Sequence, residues 1–260
     1  MSKIREVYFF GSNYRIFQII SRLYPVKTIY CEKRSFNKDI YDFVNLCSIE
    51  LKLVQTANDL DKELIVKSTG SLGISHGFGV IFKDRHIKRF RYGIWNIHPG
   101  GLPENRGRHP ISWDFLNNSR KFGISIHQIN EEIDSGYLLS KGYVDRDLKD
   151  TQDDIEGKMC RLLESGLIKK AEHNYFSKTK RKLGRGIYYK RLDGRFASVV
   201  PKEHDSVFLF NILKAQAKYG GVCVKGKQYT DCIFYNESYP QLYKGYDIFV
   251  CKDNKKVGLK

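Results

Sequence analysis

No run in this sequence approaches the roughly 20 consecutive apolar residues needed to cross a bilayer. Charged residues at Lys3, Arg5 and Glu6 stand where the apolar stretch of a signal peptide would begin. The chain therefore reads as soluble and cytoplasmic, with no membrane partner. Cysteines are few and scattered: Cys31, Cys47, Cys160, Cys223, Cys232 and Cys251 form no CxxC pair, and no histidine lies at metal-ligand spacing. No metal site is expected, and the cysteines read as small buried hydrophobes. Acidic residues are also in deficit, 29 against 45 Lys and Arg, which leaves a net charge of +16. Such an excess favours polyanions. The positive residues are nevertheless spread along the chain, and the aromatic-plus-basic stripe of a single-strand binder is missing. Gly11 ends an apolar run, but the further glycines of a dinucleotide-binding turn do not follow it.

What is present is a globular composition. With 260 residues, 41% hydrophobic and 13% aromatic, the chain can bury the core of one large domain with a small appendage. Ile4–Phe10, Val26–Cys31, Leu51–Val54, Leu72–Ser75 and Ile94–Ile97 read as strands. Helical patterns separate the first of them, one through Ile16, Ile19, Ile20 and Leu23, another through Ile40, Phe43 and Val44. Strands alternating with helices predict an α/β, Rossmann-like fold with a mainly parallel sheet. Ligand-binding loops then belong at the strand ends.

From Gly123 the pattern changes. Gly123–Ile129 alternates with period two, and Tyr137–Val144 reads as the next strand. Thr151 opens a long helix with Asp154 in capping-box spacing, and Ile155, Met159, Leu162, Leu163, Leu167 and Ile168 form its apolar stripe. The basic stretch Lys178–Gly186 marks a boundary, giving a catalytic domain over 1–182 and a small α+β domain over 183–260. In the latter, strand-like pieces surround Ile187, Val222 and Ile248, with an amphipathic helix near Val207–Ala217.

The chemistry concentrates between Trp95 and Leu138. Asn96 and His98 sit two residues apart at the end of an apolar strand, so their side chains share one face. Asp134 follows 36 residues later, just before another strand. Such a trio suits acyl transfer to an amine. The amide can donate to an oxygen that gains negative charge, a contribution of ~3–4 kcal/mol. Imidazole can carry the amine's proton, while the carboxylate orients the imidazole and raises its basicity.

Asn96-x-His98-Pro99, Leu102-Pro103-x-x-Arg106-Gly107, Gly123-x-x-x-His127 and Asp134-x-Gly136 resemble the signature of N10-formyltetrahydrofolate-dependent formyltransferases. Gly77–Phe82 looks like that family's folate-binding segment. Tyr188–Gly194 resembles the start of the small C-terminal domain in its sugar- and tRNA-formylating branches. The resemblance implies Asn96, His98 and Asp134 as catalytic residues. It implies that Gly79, Val80, Ile81, Phe82 and Ile133, with backbone near Asp134, hold the folate. His127 lines the pocket or supports it, and His109 is a loop or rim residue. The wording His98-Pro99-Gly100-Gly101-Leu102-Pro103-Glu104-Asn105-Arg106-Gly107 is most similar to the nucleotide-linked amino-sugar N-formyltransferases. That branch implies dTDP-4-amino-4,6-dideoxyglucose as acceptor, with the 3-amino isomer next, for O-antigen, lipopolysaccharide or other surface polysaccharide. Lys83, Asn105 and Arg106 are the candidate substrate contacts, tetrahydrofolate is the product, and a homodimer is expected. The alternatives are methionyl-tRNA formylation, disfavoured because no basic insert follows the second strand, a formyl-folate hydrolase, and a non-enzymatic nucleic-acid-binding protein on the same fold.

Overall fold

The structure is a computed structural model that describes residues 3–66, 69–192 and 194–260. Asp193, within the Tyr188–Gly194 motif, lies outside the described residues. In chain order the elements begin with β1 (Glu6–Phe10), α1 (Tyr14–Leu23), β2 (Val26–Glu32), α2 (Lys38–Leu46), β3 (Glu50–Val54) and α3 (Ala57–Glu63). They continue with β4 (Ser71–Ser75), α4 (Asp84–Ile87), β5 (Ile94–His98), β6 (Arg106–Gly107), α5 (Pro110–Leu116), β7 (Lys121–Gln128) and β8 (Leu138–Asp145). After α6 (Gln152–Leu162) and α7 (Ile168–Phe176) come β9 (Tyr188–Tyr189) and α8 (Ser206–Gln216). The last strands are β10 (Val222–Val224), β11 (Lys227–Tyr229), β12 (Cys232–Phe234), β13 (Asp247–Val250) and β14 (Lys256–Leu259).

Seven strands form one sheet in the order β3-β2-β1-β4-β5-β7-β8. Pairing is parallel from β3 to β5 and turns antiparallel at β5–β7. The expected mainly parallel α/β sheet is therefore present. Its central strands are apolar on both faces: Val7, Tyr8, Phe9 and Phe10 of β1 are all buried, the pattern that a sheet covered on both sides requires. Short polar caps start the flanking helices. Asn13 Oδ1 accepts from Ile16 N–H at 3.1 Å and Asn37 Oδ1 from Ile40 N–H at 3.1 Å. Thr56 and Asp59 form a reciprocal box. Each such cap contributes about 1 kcal/mol.

Contacts divide the described residues into two compact units. One comprises Met1–Arg106, Gly123–Tyr143 and Lys158–Ile187, the other Gly107–Phe122, Val144–Gly157 and Tyr188–Lys260. The expected boundary at 182/183 falls just before the end of the first unit, and two earlier segments belong to the second.

Two helices depart from expectation. The long helix opens as predicted, with Thr151 Oγ1 accepting from Asp154 N–H at 3.2 Å and Asp154 Oδ2 accepting from Thr151 N–H at 2.9 Å. It then passes through a π segment at Leu163–Leu167, where Gly166 takes φ 122°, before continuing as α7. A glycine adopts that angle without the Cβ clash any other residue would suffer. The second is α8, which is not amphipathic in place: nine of its eleven residues are buried. Within its unit it packs on α5, β10, β12 and β14. Its polar residues find partners, Asn211 bonding Arg146 and Asn118, while Gln152 Nε2 donates to the carbonyls of Lys214 and Ala215. The cysteines also divide: Cys31, Cys232 and Cys251 are buried, Cys160 and Cys223 half-buried, and Cys47 exposed, so the buried-hydrophobe reading fails for Cys47. Among the described residues, no helix is long and apolar enough to cross a membrane.

The first unit contains several very close backbone approaches, one of them at the loop after β5. A Cβ on Gly123, early in β7, would lie 2.4 Å from Gly101 Cα and 2.5 Å from Gly101 N. Both neighbours are backbone and cannot turn aside. Gly123→Ala should cost ~1–3 kcal/mol of stability through overpacking and lower the melting temperature by several degrees. An unchanged melting curve would show that the loop after β5 yields freely.

Candidate functional site

The site is built at the carboxyl ends of β4 and β5 and along the facing stretch of β7. The β5 pleat sends Trp95 and Ile97 into the core and turns Asn96 and His98 together to the other face. Register does the rest. Asn96 pairs with Ser75 of β4 on one side and with His127 of β7 on the other, and His98 pairs with Ser125. Asp134 arrives from the loop between β7 and β8, with its backbone in the left-handed region at φ 51°. That conformation is uncommon for a residue with a Cβ and is often found where side chains are aimed at a site.

The three predicted catalytic residues meet. Asn96 Nδ2 lies 3.5 Å from Asp134 Oδ1, and His98 Nδ1 lies 3.8 Å from Asp134 Oδ2. His98 and Asp134 are both buried. A fourth group joins them: His127 Nε2 is 3.2 Å from Asn96 Nδ2 and 3.4 Å from Asp134 Oδ1. His127 Nδ1–H donates to the Gln128 carbonyl at 3.0 Å, which leaves Nε2 to accept from the Asn96 amide. One Asn96 N–H is thereby engaged, and among the described residues the other has only the long contact to Asp134. The motif that contains His127 is visible in the sequence, but its place opposite Asn96 follows only from the β5–β7 register.

His98 is the decisive group. Burial pushes its pKa below the usual imidazole value, an effect that the Asp134 carboxylate and the Asn105 carbonyl oppose and His127 reinforces. A neutral imidazole carries one N–H. Its Nε2 lies 2.8 Å from the Asn105 carbonyl oxygen, which can only accept. The proton is therefore on Nε2, and Nδ1 presents a lone pair to Asp134. This corrects the expectation that the carboxylate orients the imidazole: 3.8 Å is too long for a hydrogen bond, and the backbone of Asn105 performs that role. Gly100 makes the contact feasible, because a Cβ there would lie 2.6 Å from His98 Nε2 and 2.7 Å from the Asn105 oxygen.

Beside this cluster opens a cleft of about 110 Å³. Val80, Ile81, Phe82 and Ile133 line it with Phe78 and Ile129, and Asn96, His127 and Asp134 form its polar end. Ile81 and Ile133 are 47% and 44% exposed, an apolar rim that a flat ring could cover. Gly79, also predicted here, is not part of the lining. Its N–H donates to the buried Glu32 carboxylate at 2.7 Å, which also accepts from Arg34. At the other end of the segment, His86 Nδ1 accepts from Lys83 N–H at 3.0 Å, and His86 Nε2 bonds Asp61 at 2.7 Å. The segment lining the cleft is thus tied down at both ends.

The predicted substrate contacts are differently placed. Lys83 has an exposed side chain outside the lining. Arg106 donates through Nη2 to Glu132 Oε1 at 2.9 Å and to the Ile133 carbonyl at 2.5 Å, bracing the loop that carries Asp134. Asn105 is buried and acts through its backbone on His98. His76 donates from Nδ1 to the Ile97 carbonyl at 2.8 Å, a structural bond. His109 precedes α5 with φ 57° and stacks on Tyr219 at 4.6 Å.

Residues 48–170 match the profile of the family described as formyl transferase. Among curated proteins, the methionyl-tRNA formyltransferase of Ehrlichia canis is 32% identical over 111 residues, 43% of this chain and 37% of that protein. The methionyl-tRNA formyltransferase of Pseudothermotoga lettingae is 30% identical over 98 residues, 38% of this chain and 32% of that protein. The chain thus spans little more than a third of these relatives' length. Solved structures match over nearly everything. WlaRD, a sugar 3N-formyl transferase solved with dTDP and 5-N-formyl-THF, has a TM-score of 0.73 at 20% identity, covering 99% of this chain and 97% of that one. The N-formyltransferase from Helicobacter canadensis, in complex with folinic acid and dTDP-3-aminofucose, has a TM-score of 0.72 at 17% identity, covering 99% of each. A 4-N formyltransferase from Francisella tularensis reaches 0.63 at 17% identity, covering 98% of this chain and 96% of that one. At such identities the likeness is one of fold.

Burial of neutral His98 has a consequence for stability. Its folded pKa lies below the unfolded value of about 6.5. Between the two, the unfolded chain binds a proton that the folded chain refuses, so this contribution is present above pH ~6.5 and is lost as pH falls towards the folded value. Urea midpoints at pH 7, 6 and 5 should fall more steeply for the wild type than for His98→Asn. Parallel pH profiles would contradict the burial of a neutral imidazole.

Proposed function

We propose that the protein, whose residues 48–170 match the formyl transferase family, transfers the formyl group of N10-formyltetrahydrofolate to the amine of a nucleotide-linked dideoxy amino sugar. The observation that carries the reading is the Asn96–His98–Asp134 cluster, in which Asn96 and Asp134 line the polar end of an apolar cleft and buried His98 lies against Asp134. The end-to-end match with sugar-formylating structures supports the acceptor class, since matches to the tRNA enzymes reach little more than a third of their length. Wording of the loop after β5 favours dTDP-4-amino-4,6-dideoxyglucose within that class, for surface polysaccharide synthesis.

The cleft suits a folate: apolar walls from Val80, Phe82 and Ile129, an exposed apolar rim, and a polar end with acceptors and an amide donor. Bound there, N10-formyltetrahydrofolate supplies the formyl carbon. Asn96 Nδ2 offers its less engaged N–H to the oxygen that gains negative charge. His98 Nδ1, unprotonated and held in place by Asn105, takes the proton the amine sheds on attack and returns it to the leaving folate nitrogen as the old formyl C–N bond breaks. Once protonated, Nδ1–H faces the Asp134 carboxylate, so the 3.8 Å gap turns from a meeting of two acceptors into an ion pair. Exposed Lys83, which has no ion pair among the described residues, meets the diphosphate, while Arg106 holds the Asp134 loop and Asn105 holds His98. The 1–182 segment is assigned the chemistry and 183–260 the supporting domain, in a cytoplasmic homodimer.

A second reading, methionyl-tRNA formylation, draws on the curated relatives and the +16 charge. One experiment separates the two. The protein is incubated with N10-formyltetrahydrofolate, dTDP-, UDP- and GDP-linked 3- and 4-amino sugars, and initiator methionyl-tRNA, with products read by mass spectrometry. A mass gain of one formyl group on a dTDP-amino sugar is expected; formylated tRNA with no sugar turnover would overturn the acceptor. Asn96→Ala should lower kcat by about 10²–10³, and His98→Asn by at least as much, with circular dichroism confirming both folds. Near-native turnover by either removes that residue from the mechanism.

A further inference from the structure

The second unit holds a concavity of its own, about 400 Å³, formed by α8, β12 and the segments next to β7 and β8. Two arginines stand at it side by side, because the Arg146 N–H donates to the Arg120 carbonyl at 2.9 Å. Arg146 is fixed rather than free. Its guanidinium carbon lies 4.6 Å over the Phe115 ring, and Nη2 donates to Asn211 Oδ1 at 2.7 Å. Asn211, buried on α8, is held in turn by Asn118 at 3.1 Å. Neither arginine has a carboxylate at ion-pair distance among the described residues. Burial holds the Arg146 pKa below its ordinary value, with Asp150 the acid that partly offsets it. Arg120 is exposed, and its side chain makes no hydrogen bond among the described residues. Two adjacent cations of this kind, one pre-oriented and half-buried, form a site for a multiply charged oxyanion.

The other wall of the cavity is apolar. Phe234 stacks on Phe210 with centroids 4.5 Å apart and planes 11° from parallel. Val207 and Leu148 line the same space at 41% and 59% exposure. A soluble surface leaves such side chains unpaired singly, but here they adjoin the cations in one concavity. A pair of cations beside a flat apolar wall suits a phosphate joined to a ring. We propose that this cavity is a second binding site, for a nucleoside phosphate, with phosphate on Arg120 and Arg146 and the base against Phe234, Val207 and Leu148. It shares no residue with the Asn96–His98–Asp134 cleft, so it stands whether or not formyl transfer to a sugar is confirmed.

The test is methyl-labelled NMR of the full chain titrated with dTDP, with thymidine and pyrophosphate as separate arms. The Val207 and Leu148 methyl signals should shift saturably with dTDP and at least tenfold more weakly with either fragment. Arg120→Glu, at an exposed position that leaves the fold intact, should raise the apparent Kd for these shifts at least tenfold. Val207→Trp, which fills the cavity without changing charge, should abolish the Leu148 shift. Methyls unmoved by millimolar dTDP, equal titrations in Arg120→Glu, or pyrophosphate as effective as dTDP would each overturn the proposal.

Discussion

A single hydrogen bond, from His98 Nε2–H to the Asn105 carbonyl, decides what the rest of the cluster can do. The imidazole is buried and so disfavours the charged form, and it has only one proton to place. Because a carbonyl cannot donate, the proton stays on Nε2 and Nδ1 presents its lone pair to Asp134. Asp134 then has a different task from the one its proximity suggests. It does not set the tautomer, because 3.8 Å from Nδ1 is too long for a hydrogen bond. Everything nearby serves this arrangement: Gly100 permits the contact, the β5 pleat aims His98, and Arg106 ties the loop that presents Asp134.

How much of this could be read in the sequence depended on the range of the interaction. Local patterns were legible. The period-two placement of Asn96 and His98, the Thr151–Asp154 box and the apolar core strands follow from chemistry within a few residues, and they hold in the structure. Relations set by register or by tertiary packing were not. His127 faces Asn96 only because β7 runs antiparallel to β5 in one register. The role of Asn105 lies in a backbone atom, which no side-chain pattern marks. Arg106 carries the charge expected of a substrate contact, but a neighbouring loop engages it first. The α8 helix reads as amphipathic because Asn211, Lys214 and Gln216 are polar, whereas packing buries all three.

The same distinction applies to the cleft wall. Gly77–Phe82 is recognisable as a segment, but what holds it is long-range: Glu32 at the end of β2 on one side, and the Asp61–His86 pair from α3 and α4 on the other. A wall anchored at both ends is pre-organised, so that less conformational entropy is lost when a ligand binds. Preorganisation of the wall and of the base are thus achieved by one device, a backbone N–H or carbonyl paired with a buried side chain.

The central claim is the protonation state of one ring, and nitrogen-15 NMR of the histidine side chains reads it directly. At pH 7, His98 should show a protonated Nε2 and an unprotonated Nδ1, with conversion to imidazolium only below the ordinary imidazole value. An Nδ1–H tautomer, or an imidazolium at neutral pH, would contradict the account.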